Sequence, residues 1–209
     1  MTVDLSPIDE NLLAEIANMH GMPKGAFNVR KDGELVERHS SAYIDISTKT
    51  DNPGIDIRIA PFTKSENVHI PVILSKSGFH DLVYNDFFVG EGADVTIVAG
   101  CGIHNCGDCD SEHDGIHSFY LGKNSRVRYV EKHYGEGEGT GERILNPTTN
   151  VYMEEGSSCE MEMQALTATM TRMMAASSQS SPPVAHRDSP AAASSTKIMG
   201  SFICPKKRR

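Results

Sequence analysis

Residues 87–97 read FFVGEGADVTI, residues 119–129 read FYLGKNSRVRY and residues 151–161 read VYMEEGSSCEM. Each segment begins 32 residues after the previous one, and the three share one alternation of apolar and polar positions. A fixed period of this length is typical of repeat architectures, in which every copy is one structural unit. The repeat therefore decides the fold class before any single strand is considered.

The middle of every copy carries a residue that tolerates a left-handed backbone, namely Gly92, Asn124 and Gly156. We expect the chain to turn a corner at each of them. Apolar residues recur at equivalent positions around the corner, so each coil would cover the apolar face of the next. The repeat predicts a mainly β fold, a right-handed parallel β-helix. An antiparallel sandwich with chance similarity between its strands is the alternative, and the constant offset argues against it.

Two other patterns set boundaries along the chain. Ser6 is a predicted helix N-cap with Pro7 at the first helical position, and apolar residues at helical spacing continue until Gly21. From about Ile55 the period becomes two, which indicates short strands as far as Met163. We divide the chain into an N-terminal helix and lead-in, a β-helix core and a C-terminal tail, at residues 1–40, 41–164 and 165–209.

Charge and composition exclude some classes of function. The chain has 20 Lys and Arg residues against 28 Asp and Glu, for a net charge of -8. An acidic body repels phosphate backbones, so we expect no nucleic-acid binding by the main domain. No apolar run is long enough for a transmembrane helix, and no basic segment precedes an apolar one at the N-terminus. We therefore expect no membrane association and a cytoplasmic location.

The tail differs in character from the rest of the chain. It is basic, rich in Ala, Ser, Thr, Met and Pro, and almost without a strand pattern, which predicts disorder. A reading frame shifted by one base could encode a polar, β-type segment in place of residues 165–176. We therefore consider a frameshift as the origin of the tail, and sequencing of the gene would test it.

Residues 100–117, which lie between the first two copies of the repeat, are dense in cysteine and histidine. Thiolate and imidazole together favour zinc or iron-sulfur centres, and the neighbouring glycines would let the loop wrap around a metal. The 32-residue offset also places His133 beside Cys101 on the next coil, within reach of a shared metal if both side chains face outward. The predicted metal ligands are Cys101, His104, Cys106, Cys109, His113 and His133.

Other interpretations of these residues stay open. Cys101, Cys106 and Cys109 have the spacing of plant-type ferredoxins, whose cluster takes a fourth cysteine, and only Cys159 or Cys204 remains for that role. Cys159 is a poor candidate, because its place in the repeat predicts a thiol inside the core. The loop could instead hold a structural zinc that only orders the chain, or it could be a solvated, glycine-rich connection without a metal.

Residues 83–93, VYNDFFVGEGA, and residues 117–125, HSFYLGKNS, resemble the core of the SufB/SufD family of iron-sulfur cluster assembly scaffolds. The most diagnostic part is LGKN at residues 121–124. The resemblance runs from about residue 8 to Met163 and implies a right-handed parallel β-helix. It also implies partners, namely SufC, which is an ATP-binding-cassette ATPase, and a SufB/SufD paralogue or a second copy of the chain.

The resemblance implies a function as well. In the family, a cysteine desulfurase supplies sulfur and SufC hydrolyses ATP, while a transient iron-sulfur cluster is built on a scaffold that hydrolyses nothing. No paired nucleophile and base is evident in the sequence, so we expect a scaffold rather than an enzyme. A zinc-stabilised β-helical binding module and a ferredoxin-like electron carrier are the alternatives. After Gln164 the chain departs from the family, in which further coils and a helical region that docks the ATPase would follow.

Overall fold

The computed structural model describes residues 4–167, 172–173 and 196–203. It confirms the predicted fold class, because the chain is mainly β and forms a parallel β-helix of about four turns after one short helix. The elements in chain order are α1 Pro7–Ala17, β1 Ala26–Lys31, β2 Glu34–His39, β3 Ile44–Thr48, β4 Gly54–Ile59, β5 Lys64–Leu74, β6 His80–Val89, β7 Asp94–His104, β8 Ser111–Leu121, β9 Arg126–Glu136, β10 Arg143–Leu145, β11 Thr148–Met153, β12 Ser158–Thr167, β13 Arg172–Met173 and β14 Thr196–Ile203.

The strands form two sheets that face each other across the core. Sheet A has the strand order β14-β12-β9-β7-β5-β1-β2. Sheet B has the order β13-β10-β8-β6-β4-β3, and β11 also pairs with β8. Neighbouring strands in the body of each sheet run parallel, because every coil repeats the path of the one before it.

The register of the strands is the 32-residue repeat seen in the sequence. Val127 of β9 pairs with Val95 of β7 on one side and with Cys159 of β12 on the other. The corners also agree with the prediction, since Gly92 and Asn124 have left-handed φ angles of 64° and 56°. One repeat therefore corresponds to one coil, and equivalent side chains lie above one another along the axis.

The core consists of columns of equivalent residues between the two sheets. The Phe87 and Phe119 rings are stacked with their centroids 4.4 Å apart, and the Tyr129 ring packs edge-on against Phe119 at 4.9 Å. Cys159 is fully buried in the same cluster, and burial raises the pKa of its thiol to about 12. Cys159 is thus a small apolar core residue, as its place in the repeat predicted.

Helix α1 covers the outward face of sheet A. Its start agrees with the prediction, because the Ser6 hydroxyl accepts a hydrogen bond from the Asp9 backbone N–H in a capping box. Gly100 and Gly102 of β7 allow the helix to lie close to the strand, since a side-chain carbon on Gly100 would lie 2.6 Å from the Ile16 carbonyl oxygen. Within the described part of the chain, no helix has the length and apolarity needed to cross a membrane.

Three strands precede Ile55, where the period-two pattern begins, and were not predicted: β1 and β2 lie in the lead-in, and β3 lies at the start of the core segment. Strand β1 joins sheet A parallel to β5, and β2 folds back antiparallel on β1. In sheet B, β3 is likewise antiparallel to β4. Both sheets therefore end in an antiparallel strand at the N-terminal end of the β-helix. These strands lie outside the three copies of the repeat, so the offset could not reveal them.

The predicted tail at 165–209 lies for the most part outside the described residues. Strand β12 continues to Thr167, and the backbone of β14 pairs antiparallel with β12. The segment to which the frameshift hypothesis applies, 165–176, is described only at 165–167 and 172–173. That hypothesis stays a prediction.

Candidate functional site

The interior of the β-helix contains a group of ionisable side chains, here called the interior cluster. They occupy inward positions of four strands, where apolar residues would be expected, and each is at most 5% exposed. The members are Asp81 of β6, Cys101 of β7, His113 and His117 of β8, and Glu131 and His133 of β9. Buried groups of this kind need partners, because burial of an unpaired charge is unfavourable.

One half of the interior cluster is built around the Asp81 carboxylate. Asp81 Oδ2 lies 3.0 Å from His113 Nδ1, and the Arg30 guanidinium donates to both Asp81 oxygens at 3.0 and 3.1 Å. Burial acts to raise the pKa of Asp81, but His113 and Arg30 outweigh it and hold the pKa below its usual value. Burial lowers the pKa of His113, which favours a neutral ring. His113 is thus oriented through Nδ1, while its Nε2 atom lies beside Gly115.

The other half is a carboxylate between two histidines. Glu131 Oε1 lies 3.5 Å from His117 Nε2 and 3.4 Å from His133 Nε2. Burial opposes ionisation of Glu131, but the two histidines outweigh it and hold the pKa below its usual range. Glu131 Oε2 and His133 Nδ1 are buried without a hydrogen-bond partner among the described residues. Buried polar atoms without a protein partner are rare, and an ordered water or a bound ion can satisfy them.

A glycine leaves space between the two histidines of β8. A side-chain carbon on Gly115 would lie 3.1 Å from the Nε2 atoms of both His113 and His117. A cavity of about 10 Å³ is lined by these two histidines together with Cys101 and Glu131. That volume is close to the space needed by one water molecule or one ion.

Cys101 lies in the interior, which corrects one expectation. The register places it beside His133 on the next coil, as the 32-residue offset predicted. Both side chains face the interior rather than solvent, because Gly100 and Gly102 occupy the outward positions of β7 under helix α1. Burial raises the pKa of the Cys101 thiol well above its usual value, so the thiol keeps its proton unless a metal replaces it.

The other predicted ligands lie at the end of β7 and in the loop that follows it. Cys106 and Cys109 are exposed. Cys106 Sγ lies 3.1 Å from His104 Nε2, and His104 Nδ1 lies 3.1 Å from Glu136 Oε1 on the next coil. The structure therefore divides the six predicted ligands into an interior group, Cys101, His113 and His133, and a loop group, His104, Cys106 and Cys109.

Asn105 and Arg143 hold this loop in shape. The buried Asn105 side chain accepts from the Gly107 N–H at 3.0 Å and donates to the Cys109 carbonyl at 2.8 Å. The Arg143 guanidinium is buried as well, and it donates to the Asn105 carbonyl and to carbonyls of the adjacent loop, including Gly139. The turn that carries the two exposed thiols is therefore fixed on its inner side.

A third polar group lies on the outer face of sheet B. Ligand atoms of His80, Glu112 and Asp114 lie within 4.8 Å of one another, and no other set of three does so in the described part of the chain. His80 Nε2 is 2.6 Å from Asp114 Oδ2, and the Asn146 amide donates to both carboxylates. His80, Glu112 and Asp114 thus have hydrogen-bond partners within the protein. Exposed acidic groups of this kind are common without a metal.

Three members of the interior cluster, Asp81, His117 and Glu131, were not predicted from the sequence. Two signals would have found them. The 32-residue offset, applied to polar residues, pairs Asp81 with His113 on the neighbouring coil. The alternation of a strand places Glu131 on the same inward face as His133, and it does the same for His117 and His113.

No model of a known protein family matches this chain, and no curated protein matches it either. A fold alone does not assign a function, because one fold hosts many. The chemistry of the interior cluster and of the loop thiols is therefore what bears on function.

Proposed function

We propose that the chain is a scaffold component of iron-sulfur cluster assembly and that its interior cluster takes up iron as the cargo of that process. The proposal is carried by the convergence of a thiol, three imidazoles and two carboxylates inside the β-helix. Atoms of His133 and Glu131 have no hydrogen-bond partner among the described residues. Cysteine, histidine and carboxylate are ligands of iron and of zinc. The resemblance of residues 83–93 and 117–125 to the SufB/SufD family supports the same function.

The surroundings of His113 and His117 prepare both rings for a metal. A metal-bound histidine commonly donates its second ring N–H to a carboxylate, which fixes the ring. His113 has that partner in Asp81, and burial favours the neutral ring that a metal requires. His117 Nε2 lies beside Glu131, whose negative charge would compensate that of a cation.

The cavity limits what the interior cluster can accept. In the described residues, no three donor atoms of the interior cluster lie within 4.8 Å of one another, so binding requires them to draw together. Cys101, His113, His117 and Glu131 line the cavity and are the donors that a cation there would meet. Its volume of about 10 Å³ suits one ion and not several iron and sulfur atoms together. Iron would therefore enter singly, before a cluster is built.

The family resemblance supplies the partners of the proposed function. Because every member of the interior cluster is at most 5% exposed, iron needs an opening of the β-helix to reach it. A SufC-type ATPase would provide the energy for that opening, acting on the chain paired with a SufB/SufD paralogue or a second copy of itself. A cysteine desulfurase would supply sulfur in the cytoplasm. The chain itself would act as a scaffold and hydrolyse nothing.

Iron binding tests the proposal. Because the interior cluster is closed to solvent, the full chain is unfolded in urea and refolded anaerobically in the presence of Fe(II), which lets iron reach the interior without the ATPase. The refolded chain is then dialysed and examined for iron by elemental analysis. We expect about one iron per chain, in keeping with a single internal site. His117→Asn and Glu131→Gln should each weaken binding by about 10- to 100-fold, because each removes a group that lines the cavity.

His80→Asn tests the competing outer group on sheet B, since His80 belongs to the one described set of three whose ligand atoms lie within 4.8 Å of one another. It should leave iron binding unchanged, whereas Gly115→Ala should abolish it by filling the space between His113 and His117. Loss of iron in the His80→Asn variant would place the ion in the outer group and overturn the interior site. Retention of zinc in place of iron would support the zinc-stabilised binding module. A chain that retains neither metal would overturn both assignments.

A further inference from the structure

A relay of hydrogen bonds ends on an exposed thiol in the loop after β7. Cys106 Sγ lies 3.1 Å from His104 Nε2, and His104 Nδ1 lies 3.1 Å from Glu136 Oε1. The second Glu136 oxygen accepts a hydrogen bond from the Tyr134 hydroxyl at 3.2 Å. The carboxylate is thus held on both oxygens, and it fixes the imidazole through the nitrogen that faces away from the thiol.

This order of groups is that of an activated cysteine nucleophile. When Glu136 accepts the Nδ1–H of His104, Nε2 becomes the acceptor for the thiol proton of Cys106. A base beside the thiol, oriented by a third group, distinguishes nucleophilic cysteines from structural ones. Among the described cysteines, Cys106 combines exposure with a neighbouring base, whereas Cys101 and Cys159 are buried.

A second exposed thiol follows in the sequence Cys106-Gly107-Asp108-Cys109. Two cysteines separated by two residues form the motif of thiol–disulfide oxidoreductases. The Asn105 side chain fixes this turn by bridging the Gly107 N–H and the Cys109 carbonyl. The Asp108 carboxylate raises the pKa of the Cys109 thiol, which is a donor to it. The two thiols are therefore unequal, since the Cys106 thiol has a neighbouring base and the Cys109 thiol has a neighbouring carboxylate.

We propose that Cys106 and Cys109 form a thiol–disulfide exchange site whose substrate is an accessible disulfide. Cys106 gives its proton to His104, and its sulfur attacks one sulfur of the substrate, which releases the other as a thiolate. Cys109 then attacks the Cys106 sulfur, which releases the second substrate thiolate and closes the Cys106–Cys109 disulfide. The two released thiolates take up the two cysteine protons, and two electrons pass from the chain to the substrate.

The exchange site is separate from the proposed iron site. Its thiols and its base are exposed or at the surface end of β7, and none of them lines the interior cavity. In the described part of the chain, no set of three donor atoms within 4.8 Å includes Cys106 or Cys109. The exchange site therefore adds a redox reaction to the proposed scaffold. Failure of iron binding would not contradict it, and failure of thiol–disulfide exchange would not contradict the iron site.

Reaction of the full chain with oxidised glutathione tests the proposal, with intact-mass and peptide mass spectrometry as the readout. We expect the wild type to lose two hydrogens and to yield a peptide joined through Cys106 and Cys109, without retained glutathione. Cys109→Ser should retain one glutathione on Cys106. Cys106→Ser should react at Cys109 at least about tenfold more slowly, because that thiol has no base to take its proton.

The role of His104 is measured in the Cys109→Ser background. His104→Asn should slow the addition of glutathione to Cys106 by about 10- to 100-fold, and His80→Asn should leave the rate unchanged. Circular dichroism and the iron content of each variant show that the fold and the interior cluster are intact. Equal rates for the two single-thiol variants, or absence of the joined peptide from the wild type, would overturn the proposal.

Discussion

The Asp81 carboxylate joins the largely buried Arg30 guanidinium to the interior cluster. It accepts two hydrogen bonds from Arg30 and one from His113. Because these partners outweigh burial, the pKa of Asp81 lies below its usual value. A carboxylate of this kind contributes stability that is fully present above its unfolded-state pKa, about 4. That stability is lost as the pH falls through the lower, folded-state pKa.

We expect Asp81→Asn to lower the free energy of unfolding at pH 7 by about 3 kcal/mol, because Arg30 loses its counterion in a largely buried place. Urea unfolding at pH 7 and at pH 3 measures the effect, and the difference from wild type should shrink at the lower pH. Asp94→Asn is the control, since Asp94 and Arg126 form an exposed pair at 3.8 Å and should contribute less than about 1 kcal/mol. A cost that is the same at both pH values would contradict this account.

Strand β8 carries two columns of aromatic rings, one on each face. Inside, the Phe119 ring is fully buried and stacks on Phe87 at 4.4 Å. Outside, the Tyr120 ring is 39% exposed and stacks on Phe88 at 5.1 Å and on Tyr152 at 5.0 Å. Both columns follow from the 32-residue period, but the rings of the inner column are buried more completely than those of the outer one. The inner column should therefore contribute more to the stability of the coil.

Phe119→Ala should lower the free energy of unfolding by about 3–5 kcal/mol, since it leaves a cavity beside Phe87 and Tyr129. Tyr120→Ala, on the next residue of the same strand, should cost less than about 1.5 kcal/mol, because Tyr120 is already 39% exposed and its removal from the outer face leaves no internal cavity. Chemical denaturation of the two variants gives the comparison. Similar costs would mean that the outer column supports the coil as much as the core does.

The sequence predicted elements well where they repeat and poorly where they do not. The period indicated the register of β6 to β9, β11 and β12, because identical positions on successive coils must carry residues that pack on one another. Strands β1 to β3 have no copy in the repeat and were not predicted. The interior cluster was predicted only in part, since contacts such as that between His117 and Glu131 join non-equivalent positions of two sheets.

Helix α1 ties several coils of the whole molecule together. It contacts β5, β7 and β9, and it packs directly over two glycines of β7. A side-chain carbon on Gly100 would lie 2.6 Å from the Ile16 carbonyl oxygen. This oxygen is a backbone atom, so it can move only if the helix moves. On Gly102 the nearest atoms belong to the flexible Leu12 side chain at 3.2 Å. The position of the helix is therefore set by Gly100 more than by Gly102.

We expect Gly100→Ala to lower the free energy of unfolding by about 2–3 kcal/mol, because the helix must shift as a body. Gly102→Ala should cost less than about 1 kcal/mol, since a side-chain adjustment is enough. Thermal unfolding monitored by circular dichroism compares the two. Equal shifts of the midpoint would show that the helix does not rest on β7 as described.

The antiparallel strands at the N-terminal end have a consequence for self-association. A stack of parallel coils has no natural length, because its last strand is a template for another coil, including one from a second molecule. Strands β2 and β3 replace the evenly spaced, slanted hydrogen bonds of a parallel pair by the alternating spacing of an antiparallel one. The outermost strand, β2, is also rich in charged, exposed side chains. Because charged side chains on an edge strand disfavour pairing with another chain, we expect coils from a second molecule to add poorly at this end.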